Sequence, residues 1–188
     1  MSRIWNHPHL GTVEFDNECD NWVGACRLPA FEVFKWGNKS TTRAEKHELT
    51  FDDTEGREPS TGAVQVALAV LANQARLPSL ITSALWEEFN GRGPKCEMEM
   101  WWNGDMDEVA RVFGYDDRHC PTGPDDLLPV MRFSGLTIHE SVSKYKKSIA
   151  ELRFAAVFEE EHGIGILTDG SRILGTGYAY DAELYESI

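Results

Sequence analysis

Residues 164–175 read Ile-Gly-Ile-Leu-Thr-Asp-Gly-Ser-Arg-Ile-Leu-Gly, and this stretch decides the class of fold. Two runs rich in β-branched and aliphatic residues flank the dipeptide Asp169-Gly170. Asp-Gly suits a two-residue type I′ turn, because both central residues of that turn need a positive φ. The stretch therefore predicts an antiparallel hairpin in which Ile166 lies opposite Ile173.

Further strands are predicted on both sides of the chain's centre from residues that alternate between apolar and polar. Val13 and Phe15, for example, fall on one face of a strand while Thr12 and Glu14 fall on the other. Such period-two alternation is typical of a half-buried strand. The further predicted strands are Gly11–Phe15, Trp22–Leu28, His47–Phe51, Leu136–Glu140 and one whose inward row is Leu152, Phe154, Ala156 and Phe158.

The period changes to that of a helix in the middle of the chain. Apolar residues recur at helical spacing after Ser60, which is predicted to be the N-cap of a first helix. The same spacing follows Ser79, the predicted N-cap of a second helix. Gly91 is predicted to end this second helix in a left-handed conformation. The predicted helices cover about 60–76 and 79–90 and lie as antiparallel neighbours on one face of a sheet. Residues 92–130 are predicted to be an irregular excursion, with Pro and Asp concentrated near their end.

The order of these elements predicts a single α+β domain over residues 1–188. Its mainly antiparallel sheet is built from both ends of the chain, and the two central helices pack on one face. A core of this kind needs no disulfide or metal, because a chain of 188 residues buries about 70% of its surface on folding.

The net charge limits the classes of partner. Lysine and arginine total 18 against 31 aspartates and glutamates, a formal charge of −13. Binding to phosphate backbones or to anionic membranes needs clustered cations, so we expect neither nucleic acid nor a membrane as a partner. A basic partner protein remains, because opposite charges accelerate encounter. The oligomeric state is left open.

The cysteines and the start of the chain indicate a compartment. The four cysteines show neither close pairing nor zinc-type spacing, and we expect reduced thiols, with Cys26 packed in a strand. The N-terminal residues lack the apolar run of a signal peptide, and no stretch reaches the length of a membrane span. These observations predict a cytoplasmic protein.

Both ends of the chain resemble a known family. Residues 159–166, Glu-Glu-Glu-His-Gly-Ile-Gly-Ile, follow the aromatic Phe158, and His9-Leu-Gly11 leads into a strand pair with Trp22. These motifs resemble an uncharacterised bacterial domain-of-unknown-function family with a C-terminal Glu-His-Gly-x-Gly hairpin. Phe158 departs from the tryptophan usual there. The resemblance supplies no catalytic residues. By analogy with related small acidic proteins, it implies a toxin-neutralising (immunity-like) or regulatory partner.

Two groups of histidines are candidates for a metal site or for acid–base catalysis. Glu161 and His162 adjoin in an acidic turn, where a carboxylate and an imidazole can share a proton or hold a cation. His7 and His9 flank a proline and are weak metal candidates together with that pair. Zinc needs three or four protein ligands, and His47, His119, His139 or Glu161 could supply the third. The structural alternative is a strand ending in a solvated turn, with His162 hydrogen-bonded locally. We expect no cofactor.

Adjacent tryptophans are the strongest candidate for a contact surface. Trp101 and Trp102 cannot both enter one core from a regular element, and Met100 precedes them. Tryptophan is enriched among interface anchors, so these three residues are the predicted binding site.

Three functions follow from these patterns. The first is a non-enzymatic acidic protein-binding module, immunity-like or regulatory. Its rival is a metal-dependent or acid–base enzyme that uses the Glu161–His162 turn, and the third is an accessory domain without a site. The first rests on an expectation that the ionisable side chains are scattered over the outside of the molecule and do not converge in a cavity.

Overall fold

The computed structural model describes residues 3–36, 46–92, 121–141 and 143–185. Within these ranges the chain is α+β, with strands from both ends of the chain in one nine-stranded sheet and two central α-helices, as the sequence predicts. The strands are β1 Ile4–His7, β2 Gly11–Asp16, β3 Asn21–Cys26, β4 His47–Asp52, β5 Met131–His139, β6 Ile149–Ala156, β7 Glu159–Thr168, β8 Ile173–Tyr178 and β9 Glu183–Leu184; the helices are α1 Thr61–Asn73 and α2 Leu77–Phe89.

The order of strands in the sheet follows the order in the sequence. Neighbouring strands are antiparallel except β4 and β5, which run parallel with Asp52 beside His139. The connection between these two strands contains both α-helices. Because parallel strands end at the same edge of a sheet, the residues that follow β4 and β5 lie close together.

Helix α1 begins as predicted, whereas α2 begins two residues early. The Ser60 hydroxyl accepts a hydrogen bond from the Ala63 N–H at 3.2 Å. Helix α2 starts at Leu77, so the prediction that Ser79 caps it is wrong. Pro78 lies in the first turn of α2. Backbone N–H groups in the first turn of a helix make no intrahelical hydrogen bond, so a proline, which has no N–H, is tolerated there. Gly91, at φ +65°, follows this helix in the predicted left-handed conformation.

The two helices meet at 95°, so the prediction that they are antiparallel neighbours is wrong. Gln74 and Arg76, in the link between them, both keep right-handed helical angles. The Arg76 N–H also donates to the Asn73 carbonyl at 2.9 Å, so the chain turns a corner and does not reverse. Helix α1 contacts β5 and β6, and α2 contacts β8.

Aromatic rings fill much of the core between the helices and the sheet. Phe31 and Phe133 lie 4.8 Å apart by ring centroids, and Phe34 and Phe154 are separated by the same distance. In β6 the predicted inward row holds as far as Ala156. Phe158 lies beyond the strand in a turn, although it is also buried.

The C-terminal hairpin forms as predicted, but in a different register. Ile166 pairs with Thr176 and not with Ile173. The Asp169 carboxylate accepts the Ser171 N–H at 2.8 Å, which closes a loop longer than the predicted two residues. A local side-chain hydrogen bond of this kind competes with the backbone turn that Asp-Gly would otherwise form.

Packing against α1 also fixes the tip of this hairpin. Gly170 has φ +87°, and a Cβ atom there would lie 2.7 Å from the Ala69 side chain. The position therefore requires glycine both for its conformation and for its close approach to the helix.

The sequence does not predict every element of the fold. Strands β1 and β9 and the 3-10 helix Pro29–Val33 have no predicted counterpart. Strands β5 and β7 begin at Met131 and Glu159, each five residues before the predicted starts at Leu136 and Ile164. The end of the predicted irregular excursion forms a 3-10 helix, Pro124–Val130. The rest of that excursion, residues 93–120, lies outside the described residues.

Candidate functional site

The predicted contact residues Met100, Trp101 and Trp102 lie outside the described residues. Their role stays a prediction.

The His7 and His9 rings lie 5.9 Å apart on the β1–β2 hairpin. The Nδ1 atom of His7 accepts backbone N–H groups from His9 at 3.3 Å and from Leu10 at 3.4 Å. An Nδ1 atom that accepts hydrogen bonds leaves the proton of a neutral imidazole on Nε2, which then has no lone pair for a metal. In the described part of the chain, neither histidine belongs to a metal-sized cluster of His, Cys, Asp or Glu.

His162 makes local contacts at the start of β7. Its Nδ1 atom and its backbone N–H both lie 3.1 Å from one Glu159 carboxylate oxygen. The side chain is half exposed, and Glu161 beside it is exposed. Strand β7 lies six positions from β1 in the sheet, so the structure does not bring His162 together with His7 or His9.

Charged groups instead converge on the sheet face opposite the helices. The Glu151 side chain on β6 is fully buried. One of its oxygens lies 2.8 Å from His139 Nε2, and the other accepts the Tyr180 N–H at 2.7 Å. A Cβ at Gly165 on the neighbouring strand would come within 2.5 Å of this carboxylate, so glycine makes room for it. Burial of a carboxylate is tolerated because its oxygens are hydrogen-bonded.

Arg153 lies two residues further along the same face. One guanidinium nitrogen donates to Glu48 at 2.8 Å, and another donates to the Tyr180 hydroxyl. The guanidinium carbon also stands 4.7 Å from the centre of the Tyr180 ring. Tyr180 is 66% exposed and has φ +70°, an uncommon conformation for an aromatic residue. An exposed aromatic side chain in a strained conformation marks this position as a candidate contact residue.

The ends of β4 and β5 hold a third group of side chains. His139 Nδ1 lies 3.9 Å from an Asp52 oxygen and 3.8 Å from an Asp53 oxygen. The neighbouring Glu140 carboxylate accepts the Ser60 N–H at 2.8 Å and its hydroxyl at 2.5 Å. Burial, followed by the charge of Asp52, raises the pKa of Asp53. The strand ends are therefore crowded with negative charge.

These groups contradict one part of the expectation, because they are not scattered over the outside of the molecule. Glu151 and Arg153 instead converge in the interior, where burial and hydrogen bonds to their neighbours keep them from lining an open cavity. Among the described residues, the buried acidic and basic side chains are Glu88, His139, Glu140, Glu151 and Arg153. A signal for some of them exists in the sequence, because Glu151 and Arg153 alternate with the apolar row of β6. Alternation alone is typical of a solvated face, so it does not reveal that this face is covered.

The cover comes from residues 179–182, between β8 and β9, and from Tyr145. The Tyr145 hydroxyl donates to the Ala182 carbonyl at 2.8 Å, and both residues join a small apolar cluster on this side of the sheet. The remaining members of this cluster are Ile149, Leu167 and Leu174, with Leu184 packed against it.

No described residue covers the other half of the same face, and we call this half the open face. The strand register places the residues of the open face on one side of β1 to β4, and their side chains are half-buried or exposed. Its members are Ile4, Asn6, Thr12, Glu14, Val23, Ala25 and Glu48. The apolar members are small apart from Ile4, which is 56% exposed, and the two charged members are acidic.

A separate buried acid lies on the helical side. Glu88 of α2 accepts hydrogen bonds through Oε1 from the Thr176 hydroxyl at 2.5 Å and the Tyr185 hydroxyl at 2.8 Å. Its Oε2 is buried without a hydrogen-bond partner among the described residues. Burial raises the pKa of Glu88 from 4.5 to about 7, although the two hydroxyl donors oppose the change.

Comparison with known proteins adds no relatives: no family model, no curated protein and no solved structure matches this chain. The resemblance to an uncharacterised bacterial family therefore stays a prediction.

Neither α1 nor α2, nor any other single helix in the described residues, is long and apolar enough to cross a membrane. Only the bent pair of α1 and α2 passes that test of length and composition.

Proposed function

We propose that this protein is a non-enzymatic, acidic protein-binding module that takes a basic partner protein on its open face. The observation that carries the proposal is the half-covered sheet. Residues 179–182 cover the face over β6 to β8, while the part over β1 to β4 carries exposed Ile4 and Ala25 beside Glu14 and Glu48. Apolar centres with a polar rim are typical of contact surfaces.

Charge complementarity identifies the class of partner. The net charge of −13 attracts a basic protein, and exposed Glu14 places negative charge at the contact surface itself, where Glu48 is ion-paired with Arg153. Exposed Tyr180, which stacks on the Arg153 that binds Glu48, lies at the border of the open face and supplies an aromatic anchor. In an immunity-like version the partner is a basic toxin, and in a regulatory version it is a basic cytoplasmic protein.

Matched variants test the open face. Captured proteins are first identified by mass spectrometry with the tagged full chain, and each candidate is then purified and titrated by calorimetry. We expect Ala25→Arg to weaken binding at least about tenfold, because a bulky cation enters the centre of the contact. Glu32→Lys is the control, since Glu32 is exposed and lies outside the open face on the turn Pro29–Val33.

The salt dependence separates an electrostatic partner from others. Binding to the purified partner is expected to weaken as salt rises from about 0.05 to about 0.5 M, since exposed charges are screened over that range. Glu14→Lys should reduce this dependence. If no protein is captured, or if Ala25→Arg and Glu32→Lys bind the purified partner as the unaltered chain does, the proposal is wrong.

A separate test addresses the tryptophans outside the described residues. The double substitution Trp101→Ala and Trp102→Ala is expected to abolish capture while leaving the melting temperature nearly unchanged. Unaltered capture would restrict the contact to the open face.

A further inference from the structure

The single parallel pair of strands assembles three metal-ligating atoms. Asp52 ends β4 beside His139, the last residue of β5, and Asp53 follows directly. One oxygen of each aspartate and Nδ1 of the histidine lie within 4.8 Å of one another. A zinc ion about 2 Å from each of three ligand atoms needs those atoms to be roughly 3 to 4 Å apart. The distances of 3.8 and 3.9 Å from Nδ1 to the two aspartates meet this requirement, and the two aspartate oxygens lie within 4.8 Å of each other.

The imidazole is held in the orientation that a metal ligand needs. His139 Nε2 lies 2.8 Å from the buried Glu151 carboxylate, which can only accept a hydrogen bond when ionised. The proton of a neutral ring is thus on Nε2, and the lone pair of Nδ1 points toward the two aspartates. A carboxylate behind the imidazole is the arrangement that orients metal-ligating histidines in proteins.

Burial restricts what the histidine can contact. The His139 side chain is only 9% exposed, and its Nδ1 atom faces the Asp52 and Asp53 carboxylates at 3.9 and 3.8 Å. The aspartate side chains, each 43% exposed, leave the far side of the group open to solvent. Water can therefore complete the coordination of an ion, as it does at sites with three protein ligands.

We propose that Asp52, Asp53 and His139 bind a divalent transition-metal cation, with Zn²⁺ as the representative ion. One nitrogen and two oxygen ligands favour such a cation over Mg²⁺ or Ca²⁺, which bind oxygen ligands. The site shares only His139 with the ligands that the sequence analysis considers, and it contains neither His7, His9 nor His162. It does not depend on a partner at the open face. The rival explanation is a protonated His139 that forms ion pairs with the surrounding carboxylates and binds no metal.

Zinc titration of the full chain tests the site. The chain is stripped with a chelator and titrated with Zn²⁺ by calorimetry, in parallel with Mg²⁺. We expect one ion per chain at this site and an affinity for Zn²⁺ at least about tenfold above that for Mg²⁺. Asp53→Asn should weaken Zn²⁺ binding roughly 10- to 100-fold, because it removes a ligand charge.

A matched control separates ligation from general electrostatics. Asp20→Asn removes the same charge from an exposed aspartate with nearly the same left-handed conformation, φ +55° against +58° for Asp53. It should leave Zn²⁺ affinity within about twofold. The same affinity in the unaltered chain and in Asp53→Asn would overturn the proposal, as would absence of Zn²⁺ binding. His139→Gln provides the second variant, and a melting-temperature rise on Zn²⁺ addition should occur in the unaltered chain and not in this one.

Discussion

Glu88 is expected to make stability depend on pH near neutrality, and the effect can be calculated from its burial. Its pKa is about 7 in the folded chain, against an ordinary value of 4.5 in the unfolded one. Above pH 4.5 the unfolded state has lost the proton, whereas the folded state keeps it until about pH 7. Folding stability attributable to Glu88 therefore falls as pH rises through this window and is constant above it.

The magnitude follows from the difference in pKa. At 1.36 kcal/mol for each tenfold change in proton affinity, a rise from 4.5 to about 7 amounts to about 3 kcal/mol. Glu88→Gln cannot ionise, so it removes this dependence. Its uncharged amide also leaves an N–H group near the position of the unpartnered Oε2, which adds a constant cost that does not vary with pH.

The assay is urea denaturation of both proteins at several values between about pH 5 and pH 8. The free energy of unfolding of Glu88→Gln, minus that of the unaltered chain, should increase by roughly 1 kcal/mol per pH unit up to about pH 7 and then level off. Glu87→Gln is the control, because Glu87 is the preceding residue on the same helix and is exposed. If the free energy of unfolding changed with pH in the same way in Glu88→Gln and in the unaltered chain, the reasoning would be refuted.

Three further predictions concern packing, capping and thiol reactivity. In urea denaturation, Gly170→Ala should lower the free energy of unfolding by about 1–3 kcal/mol more than Gly91→Ala does. Both glycines have positive φ, but only at Gly170 would the added Cβ collide with helix α1. Ser60→Ala should cost at least about 1–2 kcal/mol in the same assay, because its hydroxyl both caps α1 and donates to the buried Glu140; an unchanged stability would contradict both contacts. Iodoacetamide should label exposed Cys19 in the native chain, and peptide mapping should find Cys26 labelled only after the chain is unfolded. The reason is that Cys26 is buried, which raises the pKa of its thiol to about 11.

Local patterns predicted the elements of the fold better than the links between them. Alternation identified β2, β3 and β4, and helical spacing with Ser60 identified α1, because both signals arise within a few residues. The register of the final hairpin depended on where the Asp169 side chain bonds. The angle between the helices depended on the backbone of a three-residue link. Neither the hairpin register nor the angle between the helices produces a periodic pattern in the sequence.

The candidate site was missed for a different physical reason. Asp52 and His139 are 87 positions apart in the chain, and only the parallel pairing of β4 with β5 makes them neighbours. Nothing in either segment specifies that pairing locally, since non-local strand contacts depend on the whole fold. The polar alternation of Glu151 and Arg153 was visible, but their burial depends on a covering segment near the C-terminus.

Tyr180 connects the covered and open halves of the sheet face. A left-handed conformation at a residue with a Cβ costs roughly 1–2 kcal/mol, and φ at Tyr180 is +70°. Its N–H satisfies the buried Glu151, while its hydroxyl and ring contact Arg153. Removing the segment would leave a carboxylate and a guanidinium without these partners, so the polar interior and the covering segment stabilise each other. The same arrangement holds an aromatic ring, two-thirds exposed, beside the acidic open face, where a partner can reach it.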